Sequence, residues 1–109
     1  MDQELAIESF AALAQESRLT IFRLLVREEP NGLPVGEISR RLGIVPSTLS
    51  GHLLVLKRVR LLKSTRHQRE IHYFANLKAM NDLIGFMLED CCNGQLENCG
   101  EMLSLLNSD

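Results

Sequence analysis

The stretch from Ile44 to Lys57, Ile-Val-Pro-Ser-Thr-Leu-Ser-Gly-His-Leu-Leu-Val-Leu-Lys, leaves the chain few folds to choose from. Pro46 suits the first position of a helix, where its missing N–H is harmless, and Ser47, Thr48, Ser50, Gly51 and His52 fill the opening turns. Leu49, Leu53, Leu56 and Val59 follow at the spacing of one helical face. Such a helix is apolar on one side, and small, polar and free of negative charge where it begins. It suits anchoring in a small core while the N-terminal end enters a DNA major groove. An ordinary amphipathic helix would account for this stretch alone; its neighbours favour the groove-entering reading.

Before it, Leu5, Ile7, Phe10, Ala11, Leu13 and Ala14 predict a first helix over about Glu4 to Ala14. Ser17 is the expected cap of a second helix, whose Leu19, Ile21, Phe22, Leu24, Leu25 and Val26 are nearly all core. Pro30, Asn31, Gly32 and Pro34 make Glu28 to Pro34 a loop. A short helix then runs from about Val35 to Leu42, with Arg40 and Arg41 outward, and Gly43 closes it as a C-cap. Only a few residues separate it from the Ile44 to Lys57 stretch, so the two read as helix-turn-helix.

After Arg60 the period changes. Leu61 to Arg66 and Glu70 to Phe74 suit two strands, joined by a turn at His67, Gln68 and Arg69, and a hairpin directly after a recognition helix is the wing of a winged helix. From Leu77 a last long helix is expected to reach Cys91 or Cys92, where Asn93 and Gly94 stop it. The fold class is therefore mainly α with a small β-hairpin, a winged helix-turn-helix. The first and last helices carry more apolar surface than such a domain needs, which predicts a helical dimer interface and a two-fold pair of DNA half-sites.

The charge pattern agrees. The chain has a formal net charge of −2, yet from Ile38 to Arg69 there is no Asp or Glu, while Arg40, Arg41, Lys57, Arg58, Arg60, Lys63, Arg66 and Arg69 all fall there. A basic middle between acidic ends suits a DNA-facing surface. Recognition is expected from Ser47, Thr48, Ser50 and His52, and backbone contacts from Arg40, Arg41, Lys57, Arg66, His67 and Arg69. At 109 residues the chain is expected to form a single domain over 1–109, with a cysteine-containing effector segment at about 89–109. There is no basic leader at the N-terminus, and no apolar run approaches the ~20 residues that span a bilayer. The expectation is a cytoplasmic protein with no membrane partner. An enzyme is not expected, because no glycine-rich phosphate loop or nucleophile elbow is present.

Read together, residues 13 to 25 (Leu-Ala-Gln-Glu-Ser-Arg-Leu-Thr-Ile-Phe-Arg-Leu-Leu), residues 46 to 56 (Pro-Ser-Thr-Leu-Ser-Gly-His-Leu-Leu-Val-Leu) and Ile71-His72-Tyr73 resemble the ArsR/SmtB family of metal-responsive repressors. The resemblance covers about residues 5 to 90, and Ser50 to Leu53 is its most specific piece. It implies a dimeric winged helix that holds double-stranded operator DNA until a metal or metalloid lowers its affinity. Two of the family's effector sites are missing from the pattern. Where some members carry Cys-x-Cys in the short helix, this chain has Pro34 and Gly36, and its last helix offers Asp82, Glu89 and Asp90 without a His.

What remains is Cys91, Cys92 and Cys99, which looks like the C-terminal thiolate site of an arsenite-sensing branch. Adjacent helical residues point about 100° apart, so Cys91 and Cys92 grip one ion only where the helix ends between them. Three thiolates without an obvious fourth ligand favour As(III) or Sb(III) as effector, with no organic cofactor. Zinc takes four ligands and fits only if Glu89, Asp90 or Glu97 joins. Three alternatives stay open: a thiol-based redox switch through a Cys91–Cys99 or Cys92–Cys99 disulfide, a Zn, Cd or Pb sensor of the same fold, and a winged-helix protein-interaction module that does not bind DNA. Burial of Cys91 as an ordinary core residue is the bland reading of the cluster.

Overall fold

The computed structural model describes residues 1–89. Within them the chain runs α1 (Gln3–Leu13), α2 (Glu16–Arg27), β1 (Leu33–Pro34), α3 (Val35–Leu42), α4 (Pro46–Arg58), β2 (Leu62–His67), β3 (Glu70–Ala75) and α5 (Leu77–Leu88). This is the winged helix-turn-helix expected of the sequence, with two local corrections.

The first is the start of α2. Ser17 lies inside the helix, and the cap is Gln15, which is extended and accepts a hydrogen bond from Arg18 N at 2.8 Å. Arg18 Nε in turn donates to Ala12 O at 2.6 Å, so one arginine ties the end of α1 to the start of α2. Those two bonds satisfy groups that helix ends leave open, and the corner closes too early for Ser17 to act as cap.

The second is the stretch up to Pro34, which does not stay a loop. Leu33 and Pro34 form a short edge strand, pairing antiparallel with Tyr73 and His72, and the sheet order is β1-β3-β2. Proline is tolerated there because an edge strand leaves one side of its backbone unpaired. Gly32 makes the entry possible. It sits at φ +66°, and a Cβ on it would fall 2.5 Å from the Phe74 ring and 2.6 Å from Tyr73 O. Only glycine fits both the turn and that approach.

The core is a single cluster centred on α2, α3, α4 and the roots of the wing. Ile21, Leu25, Ile38, Leu49, Leu53, Leu56, Leu61 and Leu62 are fully buried within it. Burial of each such side chain is worth about 1.5–3 kcal/mol, so α4 is held through three leucines on one face. The wing is held at its base, where buried Leu62 pairs with buried Ala75. Outside the core, Ile7, Phe10, Leu77 and Met87 are exposed apolar side chains on α1 and α5.

Candidate nucleic-acid interface

α4 begins at Pro46 in the first helical turn, and no side chain caps it. The turn before it is tied instead by Ser39 Oγ, which donates to Ile44 O at 2.6 Å, and α3 ends on Gly43 in the left-handed conformation at φ +66°. The Ser47 and Thr48 side chains are left exposed at the helix N-terminus, where no acidic residue stands. Free hydroxyls and backbone N–H groups there can receive phosphate or base-edge acceptors.

Opposite the buried leucines, α4 presents Ser47, Ser50, Gly51, Leu54 and Arg58, all exposed. Leu54 keeps 49% of its surface and Val45, just before the helix, 61%. Gly51 has open space where a Cβ would be, so another surface can approach the backbone closely. His52 is only half exposed and lies on the flank of the helix rather than its crest. Leu54 is absent from the residues expected to read DNA, and Arg58 was expected only as part of the basic stretch, although their helical spacing from Ser47 and Gly51 already placed both on this crest. An apolar side chain on this crest suits contact with a thymine methyl group.

The basic residues divide into two groups. On α3, Arg40 donates to Glu37 through both Nε, at 3.2 Å, and Nη2, while Arg41 Nε donates to the same carboxylate at 2.9 Å and Arg41 Nη1 to Glu28. The hydrogen bonds from Arg40 and then Arg41 hold the Glu37 carboxyl down at about 2, and those same bonds raise both guanidinium pKa values. The charge of this pair is thus largely offset within the fold. In contrast, Lys57 at the end of α4 and Arg66 and Arg69 on the wing are exposed and have no carboxylate partner among the described residues.

The wing closes through Gln68, at φ +59°, and Arg69, with Arg66 Nε donating to Gln68 O at 3.3 Å. One face of the hairpin gathers two imidazoles. His67 lies 2.9 Å from Thr65 Oγ1, its ring centroid is 4.6 Å from that of His72, and His72 Nε2 is 3.4 Å from a Glu70 oxygen. Among the described residues no group of three His, Cys, Asp or Glu side chains is disposed to hold a metal ion. Cys91, Cys92 and Cys99 lie outside the described residues. No helix among the described residues is long and apolar enough to cross a membrane.

Comparison with known proteins agrees with this geometry. A helix-turn-helix domain family matches residues 13–65, from α2 into the wing. In overall shape the chain is similar to an ArsR-like transcriptional regulator from Rhodococcus sp. RHA1, at TM-score 0.70 and 22% identity, over 97% of this chain and 95% of that one. In sequence it is 35% identical over 82 residues to the transcriptional activator HlyU of Vibrio cholerae, covering 72% of this chain and 73% of that protein. The chain belongs to the ArsR/SmtB family. The nodulation protein NolR of Rhizobium meliloti is a further relative, 32% identical over 84 residues, which are 77% of this chain and 66% of NolR. HlyU is a transcriptional activator, and in the present chain α3 and α4 form the helix-turn-helix with β2 and β3 as its wing.

Proposed function

We propose that the chain is a homodimeric transcriptional repressor that leaves its operator when As(III) or Sb(III) binds the thiolates of Cys91, Cys92 and Cys99. The observation that carries the DNA-binding half is the two-sided character of α4. Leu49, Leu53 and Leu56 are at most 1% exposed, while Ser47, Ser50, Gly51 and Leu54 stand open on the other side. Lys57, Arg66 and Arg69, which have no carboxylate partner among the described residues, flank that crest. Serine and threonine read either kind of base pair, so each contact is modest and specificity is cumulative.

Exposed Ile7, Phe10, Leu77 and Met87 on α1 and α5 support dimerisation through these two helices. Two half-sites require recognition helices about 34 Å apart. The donor set supports the effector class: three thiolates suit a soft three-coordinate ion. Bound at the C-terminal side of α5, that ion would draw the helix end toward a new position and change the spacing of the two recognition helices. Coupling of about 1–3 kcal/mol would lower operator affinity roughly 5- to 150-fold.

The test begins with a duplex enriched from a random pool on the full chain. Arsenite, zinc and peroxide are titrated separately into the complex, with fluorescence anisotropy as readout. Release by arsenite in the wild type, and its loss in Cys99→Ser with DNA affinity kept, is the expected result. Release by peroxide alone, with a disulfide found by mass spectrometry, would replace the metalloid reading with a redox one.

A further inference from the structure

A cleft of about 670 Å³ opens where the wing meets the end of the recognition helix, within the size range of small-ligand sites. Lys57 and Arg60 line it from the end of α4, Leu62 and Lys63 from β2, Phe74 from β3, and Glu29 with Pro30 from the segment before β1. Its chemistry is unbalanced in two places. Lys57, Arg60 and Lys63 are exposed cations with no carboxylate partner among the described residues. Glu29 also lines the cleft, and its Oε1 is buried with no hydrogen-bond partner among the described residues, a condition that costs free energy until a donor reaches it.

Between these poles lie the Phe74 ring, seated against Gly32, and the side chains of Leu62 and Pro30. The backbone draws attention to the same spot. α4 ends with Arg60 N donating to Lys57 O and Leu61 N to Leu56 O, a Schellman-type stop whose left-handed position is occupied by Arg60 at φ +67°. Glycine is the usual residue there, so the arginine is held in a conformation that a side chain disfavours.

We propose that this cleft binds a small organic anion with an aromatic body and a hydrogen-bond donor opposite its charge, of the aminobenzoate kind. The anionic group pairs with Lys57, Arg60 and Lys63, the ring lies on Phe74 and Leu62, and the donor satisfies Glu29 Oε1. Because Lys57 also belongs to the basic surface beside the α4 crest, an occupant would compete with DNA phosphate for that side chain. The binding itself needs neither DNA nor the cysteines.

The probe is 4-aminobenzoate, titrated into the full chain in the absence of DNA and metalloid and followed by amide chemical shifts and calorimetry. Saturable shifts confined to Lys57, Arg60, Leu62 to Thr65, Phe74 and Asn76 are expected. Benzoate, lacking the donor, should bind several-fold more weakly, and aniline, lacking the charge, should not bind. Arg60→Gly removes a cation while relieving the left-handed strain, so it should fold at least as well and weaken binding about tenfold. Lys63→Gln, an exposed change on the wing, should weaken it similarly. Absence of saturable shifts at about 10 mM probe, shifts centred elsewhere, equal affinity for benzoate, or undiminished binding by both variants would each overturn the proposal.

Discussion

Replacing Glu37 by Gln tests how the fold partitions its positive charge. In the wild type, Glu37 holds Arg40 and shares Arg41 with Glu28, while Lys57, Arg66 and Arg69, the remaining cations expected on phosphate, have no carboxylate partner among the described residues. If each of those neutralises one phosphate, twice over in a dimer, log affinity should fall with log salt at a slope of about −5. Glu37→Gln removes the one carboxylate that Arg40 meets among the described residues, where its side chain is already 71% exposed, but leaves Arg41 on Glu28. One new phosphate contact per protomer steepens the slope to about −7. The variant should bind non-specific DNA more tightly at low salt and lose about tenfold more affinity between roughly 50 and 200 mM salt. The assay is anisotropy of a labelled non-operator duplex across a salt series, with Glu28→Gln added to Glu37→Gln in a second variant to release Arg41 as well. An unchanged slope in the Glu28→Gln, Glu37→Gln double variant would show that α3 does not face DNA, whatever holds its arginines in the free protein.

Three further outcomes are expected. Leu53→Ala, at a position 1% exposed beneath the recognition helix, should cost about 2–5 kcal/mol in chemical denaturation and weaken DNA binding only through the folded fraction. Gly32→Ala should destabilise the fold by more than about 1 kcal/mol, because it combines φ +66° with a clash against Phe74 and Tyr73 O, whereas Gly36→Ala meets nothing within 4 Å and should be near neutral. Glu37 should titrate near pH 2 by NMR rather than at its ordinary 4.5; since the folded value is the lower, its pairing stabilises the fold above pH 4.5 and that contribution is lost as pH falls toward 2, and Arg40→Gln with Arg41→Gln should return the midpoint toward 4.5.

The features legible in the sequence were those written in local periodicity. Pro46 and the leucines at 49, 53 and 56 mark α4, Gly43 marks the end of α3, and the change of period after Arg60 marks the wing. The pairing of Arg40 and Arg41 with Glu37 was also within reach, since the three lie at i, i+3 and i+4 on one helix. Reading them as outward phosphate contacts overlooked it. Glu28 on Arg41, by contrast, joins residues 13 apart, and β1 exists only because Tyr73 and His72 are there to pair with it. The cleft beside the wing is assembled from separate elements, so no single stretch announces it. The Gln15 cap depends on how tightly α1 turns into α2, which propensity alone does not set.

If the proposed function holds, a signal arising beyond α5 would reach α4 by a short route through Asn76. This residue caps α5 by accepting from Ala79 N at 3.3 Å, while its side-chain amide donates to Arg60 O at 2.8 Å and its backbone N–H to Leu61 O at 2.9 Å. The first turn of α5, the stop of α4 and the root of the wing are thus joined at one side chain. Ala75 and Leu62 pair beside this joint and are buried, so the wing cannot tilt freely there. The outer part of α5 is differently placed: Leu83 is buried, but Met87 near its end keeps 61% of its surface. On the proposed function, a helix fixed at its start and exposed near its end would act as a lever on the end of α4. The rigid arrangement of Arg60, Leu61 and Asn76 would convert a displacement of α5 into a rotation of the DNA-reading crest, because a packed core yields between discrete arrangements rather than continuously.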